Sequence, residues 1–255
     1  MKKLLTVIFL LAGISLSNAE DSGAAQASDS NFTVGTNMQF KTARVSHGCK
    51  ASNGIYVAEA KIGYKIRENL KFNLGGDAMA ALSGKYSRVA PGIGLSWDVT
   101  ESVVLDAGYT HYFYTSAHGD EQKNSNEIYG GIRRNMWLRP AVYYFYDFDN
   151  RDISWEFSIG HEFDLERRLL PGLTLNVSAK VGFEQAEKSG GKRIENGKKY
   201  FFYYGTGADL VYAFGNNAKA KLGVAYEGNS AAKNSWVNAK RRDFVWGSAS
   251  ISCSF

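Results

Sequence analysis

Beyond its first nineteen residues the chain has no run of 18 apolar residues, which excludes a transmembrane helix. Prolines are scarce: there are three, and none interrupts the segments that alternate most cleanly. The excess of one charge sign is small. The formal net charge is +5 and falls to +3 if Lys2 and Lys3 leave with a cleaved leader, too mild an imbalance for nucleic-acid binding. Four histidines occur, at 47, 111, 118 and 161, and the residues two places on are Cys49, Phe113, Asp120 and Phe163. No His-x-Ser pair is therefore present, and a barrel lipid hydrolase of that design lacks its nucleophile and base.

What is present begins with a leader. Met1-Lys2-Lys3 is basic, Leu4 to Leu16 is apolar, and Ser17-Asn18-Ala19 is a small-x-small cleavage site. The run is too short to span a bilayer, so residues 1–19 are read as a signal peptide cleaved after Ala19. Residues 20–31 are small and polar and are expected to form a periplasmic tail. The remainder, 32–255, alternates with period two.

Between Ile153 and Leu165, residues 153, 155, 157, 159, 161, 163 and 165 form an apolar row, with His161 within it. Asp152, Ser154, Glu156, Ser158, Gly160, Glu162 and Asp164 form the polar row. A helix would mix these rows; a strand with one dry and one wet side separates them. Leu173 to Phe183 and Ala218 to Tyr226 repeat the pattern. The last strand does so to the terminal Phe255, with Val245, Gly247, Ala249, Ile251 and Cys253 on one side and Ser248, Ser250, Ser252 and Ser254 on the other.

These features predict an all-β chain, a transmembrane antiparallel up-and-down β-barrel in a Gram-negative outer membrane. Twelve strands are predicted, near 32–47, 54–66, 70–81, 86–99, 102–115, 125–133, 137–149, 152–165, 172–185, 199–214, 217–227 and 242–255; merging weak segments among 54–99 would give ten. Connections on the periplasmic side are expected to be short. Those outside, 116–124, 186–198 and 228–241, are longer. This places Cys49 and Cys253 at opposite ends, too far apart for a disulfide. Phe255 is expected to be the signal read by the barrel-assembly machinery.

Ser125-Asn126-Glu127, a strand with Tyr129, Gly130 and Gly131, and then the run Ala141 to Asp149 (AVYYFYDFD) resemble the TorF-like family of outer-membrane porins, chiefly over residues 100–165. The resemblance implies a pore and carries no catalytic residues.

Parity places sixteen charges on the lumen row: Glu59, Lys61, Lys65, Lys71, Asp106, Glu127, Arg133, Asp147, Glu156, Glu162, Asp164, Lys180, Glu184, Asp209, Lys219 and Lys221. Isolated charges in hydrocarbon cost several kcal/mol, so they must face water or one another. With seven bases against nine acids, facing walls of opposite sign would tune a narrow, weakly selective diffusion channel for small polar solutes. The alternative is a salt-bridged, closed barrel with a structural or adhesive role through its loops.

A rim hydrolase would draw on Asp147, Asp149 and Asp152 with His118 and Asp120; the same aspartates could bridge Ca²⁺, though ordinary loop polarity explains them. No enzyme, cofactor or metal is predicted. The expected partners are outer-membrane lipid and lipopolysaccharide, whose phosphates suit the loop bases Lys188, Lys192, Arg193, Lys198, Lys199, Lys233, Lys240, Arg241 and Arg242. His111 and His161 fall on the lipid row. Trp97, Tyr112, Trp137 and Trp246 are candidates for the interfacial aromatic girdle, two of them with lumen parity.

Overall fold

The structure is a computed structural model that describes residues 31–46, 49–83, 87–115, 124–166, 169–186, 188–189, 192–193, 199–230 and 243–255. Residues 1–19, read above as a signal peptide, and most of the expected tail lie outside these residues, as do His118, Asp120 and the loop bases from Lys233 to Arg242.

The strands are β1 (Phe32–Ser46), β2 (Cys49–Arg67), β3 (Leu70–Ala81), β4 (Ser87–Asp98), β5 (Val103–Thr115), β6 (Ser125–Arg134) and β7 (Ala141–Asp147). They continue with β8 (Asp152–Asp164), β9 (Leu173–Ala186), β12 (Lys199–Ala213), β13 (Ala218–Asn229) and β14 (Asp243–Ser254). Two short pieces, β10 (Lys188–Ser189) and β11 (Lys192–Arg193), pair only with each other. The other twelve form one closed antiparallel barrel in which each strand pairs with its sequence neighbours and β14 returns to β1.

Most edges fall within a few residues of the periodic reading. Two differ more. β2 begins at Cys49 instead of near 54, because the ladder with β1 continues to the pair Ser46–Cys49. β7 begins at Ala141 instead of 137. Pro140 lacks a donor for the ladder, and Arg139 adopts φ 41°, outside the strand region. The connection 135–140 is therefore longer than the gap between the strands expected at 125–133 and 137–149. At the same end the turn 165–172 closes through Gly172 (φ 77°), where a Cβ would stand 2.6 Å from the Ala213 carbonyl oxygen.

Which row faces inward follows from reach. Side chains two strands apart converge on the concave face of a barrel and diverge on the convex face. Tyr143 on β7 reaches Asp106 on β5 at 2.7 Å, and Lys180 on β9 reaches Glu227 on β13 at 3.7 Å. The polar rows therefore point inward. The apolar rows are exposed, among them Ile62, Leu74, Ile93, Leu95, Ile132, Val181, Leu222 and Val245. A soluble barrel would bury that row in its core; here it forms a continuous outer apolar face.

Aromatic residues rim this face in two bands. Phe32–Tyr64, Trp137–Phe163 through His161, and Tyr212–Phe214 mark the end carrying the termini. Phe40–Tyr56, Tyr144–Trp155, Phe183–Phe202 and Tyr204–Tyr226 mark the loop end. Phe32 and Phe40 are eight residues apart on β1, about 27 Å along the strand and about 20 Å along the axis at a tilt of about 40°. That height matches the apolar band of an outer-membrane barrel.

The cysteines sit as expected. Cys49 pairs with Ser46 and Cys253 with Thr36, ten residues apart on β1 and so about 33 Å along the strand. Cys253 is free.

Candidate functional site

Twelve strands about 4.8 Å apart and tilted by about 40° give a circumference of about 75 Å and a backbone diameter of about 24 Å. Inward side chains occupy part of that width, and three arrangements decide how much.

First, charges are gathered into clusters. Asp106 accepts from Ser96 Oγ (2.6 Å), Arg133 Nε (3.0 Å) and Tyr143 OH (2.7 Å), joining β4, β5, β6 and β7. Lys180 Nζ lies 3.7 Å from both Glu156 and Glu227. Arg88 pairs with both oxygens of Asp77 at 2.9 and 2.7 Å, Lys221 with Asp209 at 3.4 Å, and Asn37 donates to Glu59 at 2.8 Å. Arg139 in the 135–140 turn lies 3.7 Å from Glu162.

Second, three inward cations lie on aromatic faces. Lys41 sits 5.5 Å from the Trp246 ring centre, Arg88 4.9 Å from that of Tyr112, and Lys180 5.9 Å from that of Tyr203. Tyr112 also donates to Glu127 at 2.8 Å. Tyr112 and Trp246 are thus part of the interior, not of the girdle, as their parity implied; Trp97 and Trp137 face outward.

Third, large inward rings lie flat over glycines of the neighbouring strand. Tyr129 is paired with Gly108, Tyr143 with Gly131 and Tyr203 with Gly182. A Cβ at Gly108 would stand 2.5 Å from the Tyr129 ring, and at Gly131 and Gly182 it would fall within the facing ring. The rings therefore line the wall without projecting to the axis. Gly131→Ala is expected to lift Tyr143 off the wall, break its bond to Asp106 and destabilise the barrel by about 1–3 kcal/mol. Denaturant unfolding in lipid vesicles checks this; an unchanged midpoint would mean that the ring has room elsewhere.

The inner wall is wet in places and dry in others. The side chains of Lys180, Asp209 and Lys221 keep 32, 35 and 36% of their surface exposed, so water reaches them despite their ion pairs. By contrast Ile55, Val57 and Ala81, with Met79 against them, form a buried inward cluster at the loop end of β2 and β3.

All sixteen charges expected on the lumen row have inward parity in the observed register. The structure brings together Asp106 with Arg133, Glu156 with Lys180, and Asp209 with Lys221. Lys65 pairs with Lys71 across the ladder near the terminal end, and Asp147 with Asp152 at the loop end. Asp147 caps its own turn, accepting from the backbone N–H of Asp149 and Asn150. Lys41, Asp77, Arg88, Asp98, Asp152 and Glu227 were absent from the expected set. Strand parity holds the signal for each, since each stands on the inward row of its strand. Adding two bases and four acids to seven and nine gives nine against thirteen among the inward charges whose side chains are described.

The rim constellation does not assemble a catalytic centre within the described residues. Asp149 accepts from Asn126 N and Nδ2 at 2.9 and 2.7 Å, and Asn126 in turn takes Tyr109 OH and His111 Nδ1 on the outer face. His161 Nδ1 meets the Trp137 carbonyl oxygen at 2.7 Å. Among the described residues no group of three or more His, Cys, Asp or Glu could hold a metal ion.

A closed twelve-stranded barrel with an apolar, aromatic-girdled exterior and a polar interior belongs to the outer-membrane class of β-barrels. Solved structures with this fold bear that out. The chain is similar to a KdgM porin in complex with disordered oligogalacturonate (11% identity, TM-score 0.52, covering 88% of this chain and 99% of that one). It is similar also to the COG4313 outer membrane channel from Pseudomonas putida F1 (11%, 0.52, 92% and 100%) and to LpxR from Salmonella typhimurium (10%, 0.51, 87% and 99%). At these identities the likeness is one of fold. No family model and no curated protein matches the chain, so the resemblance to TorF-like porins rests on its own residues.

Proposed function

We propose that the chain is a narrow, weakly selective porin of a Gram-negative outer membrane, through which small polar solutes diffuse passively. The observation that carries this reading is the wetness of part of the inner wall: Lys180, Asp209 and Lys221 keep about a third of their side-chain surface open to water although each is ion-paired. Rings laid over glycines widen the space that remains. Several of the fold's relatives are named porins or channels, which favours the same reading. A surplus of four acids among the described inward charges implies a weak preference for cations. The channel needs no cofactor or energy source.

Planar-bilayer recording of the refolded mature chain tests this. Stable steps with a modest cation preference in a salt gradient are expected. Absence of any stable conductance at low and high voltage would refute the pore.

A second reading, a closed barrel acting through its loops in envelope architecture or adhesion, is favoured by the buried Ile55–Val57–Ala81 cluster, which fills part of the interior at the loop end. It predicts no conductance, and loss of surface binding when outer loops are shortened.

A further inference from the structure

We infer that the lumen favours small dipolar solutes, those carrying an ammonium and a carboxylate together, over uncharged solutes of the same size and shape. This rests on the pore reading and names the class of solute that the charged wall selects.

The inward charges are not evenly spread. In the half nearer the termini, Lys61, Lys65 and Lys71 on β2 and β3 and Lys219 and Lys221 on β13 occupy one arc, centred on β1. Glu162, which shares its charge with Arg139 at 3.7 Å, and Asp164 stand near the same end of β8, which lies five strands from β1 one way round the barrel and seven the other. The lysine arc and these carboxylates thus face each other across the lumen. In the half nearer the loops the balance differs. There carboxylates outnumber cations, and they concentrate on β6 to β9 as Glu127, Asp147, Glu156 and Glu184, with Lys180 as the inward base among them.

A solute entering from the loop end meets an acidic wall first and the lysine arc second. A net anion is opposed by the first, a net cation by the second. A molecule carrying both charges is opposed by neither, and between lysines and carboxylates its dipole turns across the lumen. The facing backbones stand about 24 Å apart and the inward side chains narrow that distance toward the Debye length of about 8 Å at physiological salt, so a solute between them stays within reach of both walls, and low-dielectric walls concentrate the field.

Osmotic swelling of liposomes holding the refolded mature chain tests this with glycine and its uncharged isomer glycolamide. Glycine is expected to enter roughly threefold faster, with the ratio falling as ionic strength rises. The variant Lys61→Gln/Lys65→Gln/Lys71→Gln should bring the ratio to about one, and Glu162→Gln/Asp164→Asn, on the facing wall, should lower it independently if the first variant fails to refold. Equal rates in the unaltered chain, or a ratio untouched by both variants, would overturn the inference while leaving the pore standing. No swelling with either solute would overturn the pore reading and the inference with it.

Discussion

Asp106→Ala is expected to destabilise the barrel by about 3 kcal/mol and to disturb conduction. The carboxylate accepts from Ser96, Arg133 and Tyr143, and its side chain is only 11% exposed. Its removal leaves an inward guanidinium and a phenol without their shared acceptor. Breaking a buried pair costs about 3–5 kcal/mol, but Arg133 is partly open to water, which reduces its share; the phenol adds about 1–3. Urea titration in lipid vesicles measures the sum. Asp106→Asn keeps an acceptor and should recover part of it. A loss below about 1 kcal/mol would show that water replaces the carboxylate, and that this part of the lumen is wetter than the geometry implies.

The second large effect concerns the outside. Leu222 faces outward on β13, between Leu210 and Ala249, and is 64% exposed. In a bilayer its arginine variant should lose about 2–4 kcal/mol, the cost of a cation near the midplane of a barrel's lipid face. Ser248→Arg, which points into the lumen on the adjoining β14, should cost less than about 1 kcal/mol. Reversible unfolding in vesicles compares the two. Equal costs would mean that the exposed apolar row does not meet hydrocarbon.

Much of this fold was legible because alternation is a strict code for faces. Ile153 to Leu165 and Ala218 to Tyr226 could be read as strands with assigned sides, and parity placed Tyr112 and Trp246 inside even while composition nominated them for the girdle. Alternation says nothing of neighbours. That Tyr143 reaches over β6 to Asp106, or that Tyr203 lies on Gly182, depends on register, which only the folded barrel supplies. The start of β7 was missed because the aromatic run around Trp137 and the tyrosines reads as continuous, although Pro140 and the left-handed Arg139 break it. The wall charges Lys41, Asp77, Arg88 and Glu227 stood on readable rows; the pairing of Arg88 with Asp77 and its place over Tyr112 did not.

The seam between the first and last strands has a further consequence. β1 and β14 share seven residue pairs, against fourteen between β1 and β2, and the seam begins with a reciprocal backbone pair, Val34 N to Phe255 O and Phe255 N to Val34 O, each 2.8 Å. A slip of one residue there would turn Ser248, Ser250 and Ser252 toward lipid and Ile251 and Val245 toward water. The serine row thus acts as a proofreading strip: a misregistered closure would strand hydroxyls in hydrocarbon, so the register seen here is favoured over its one-residue neighbours.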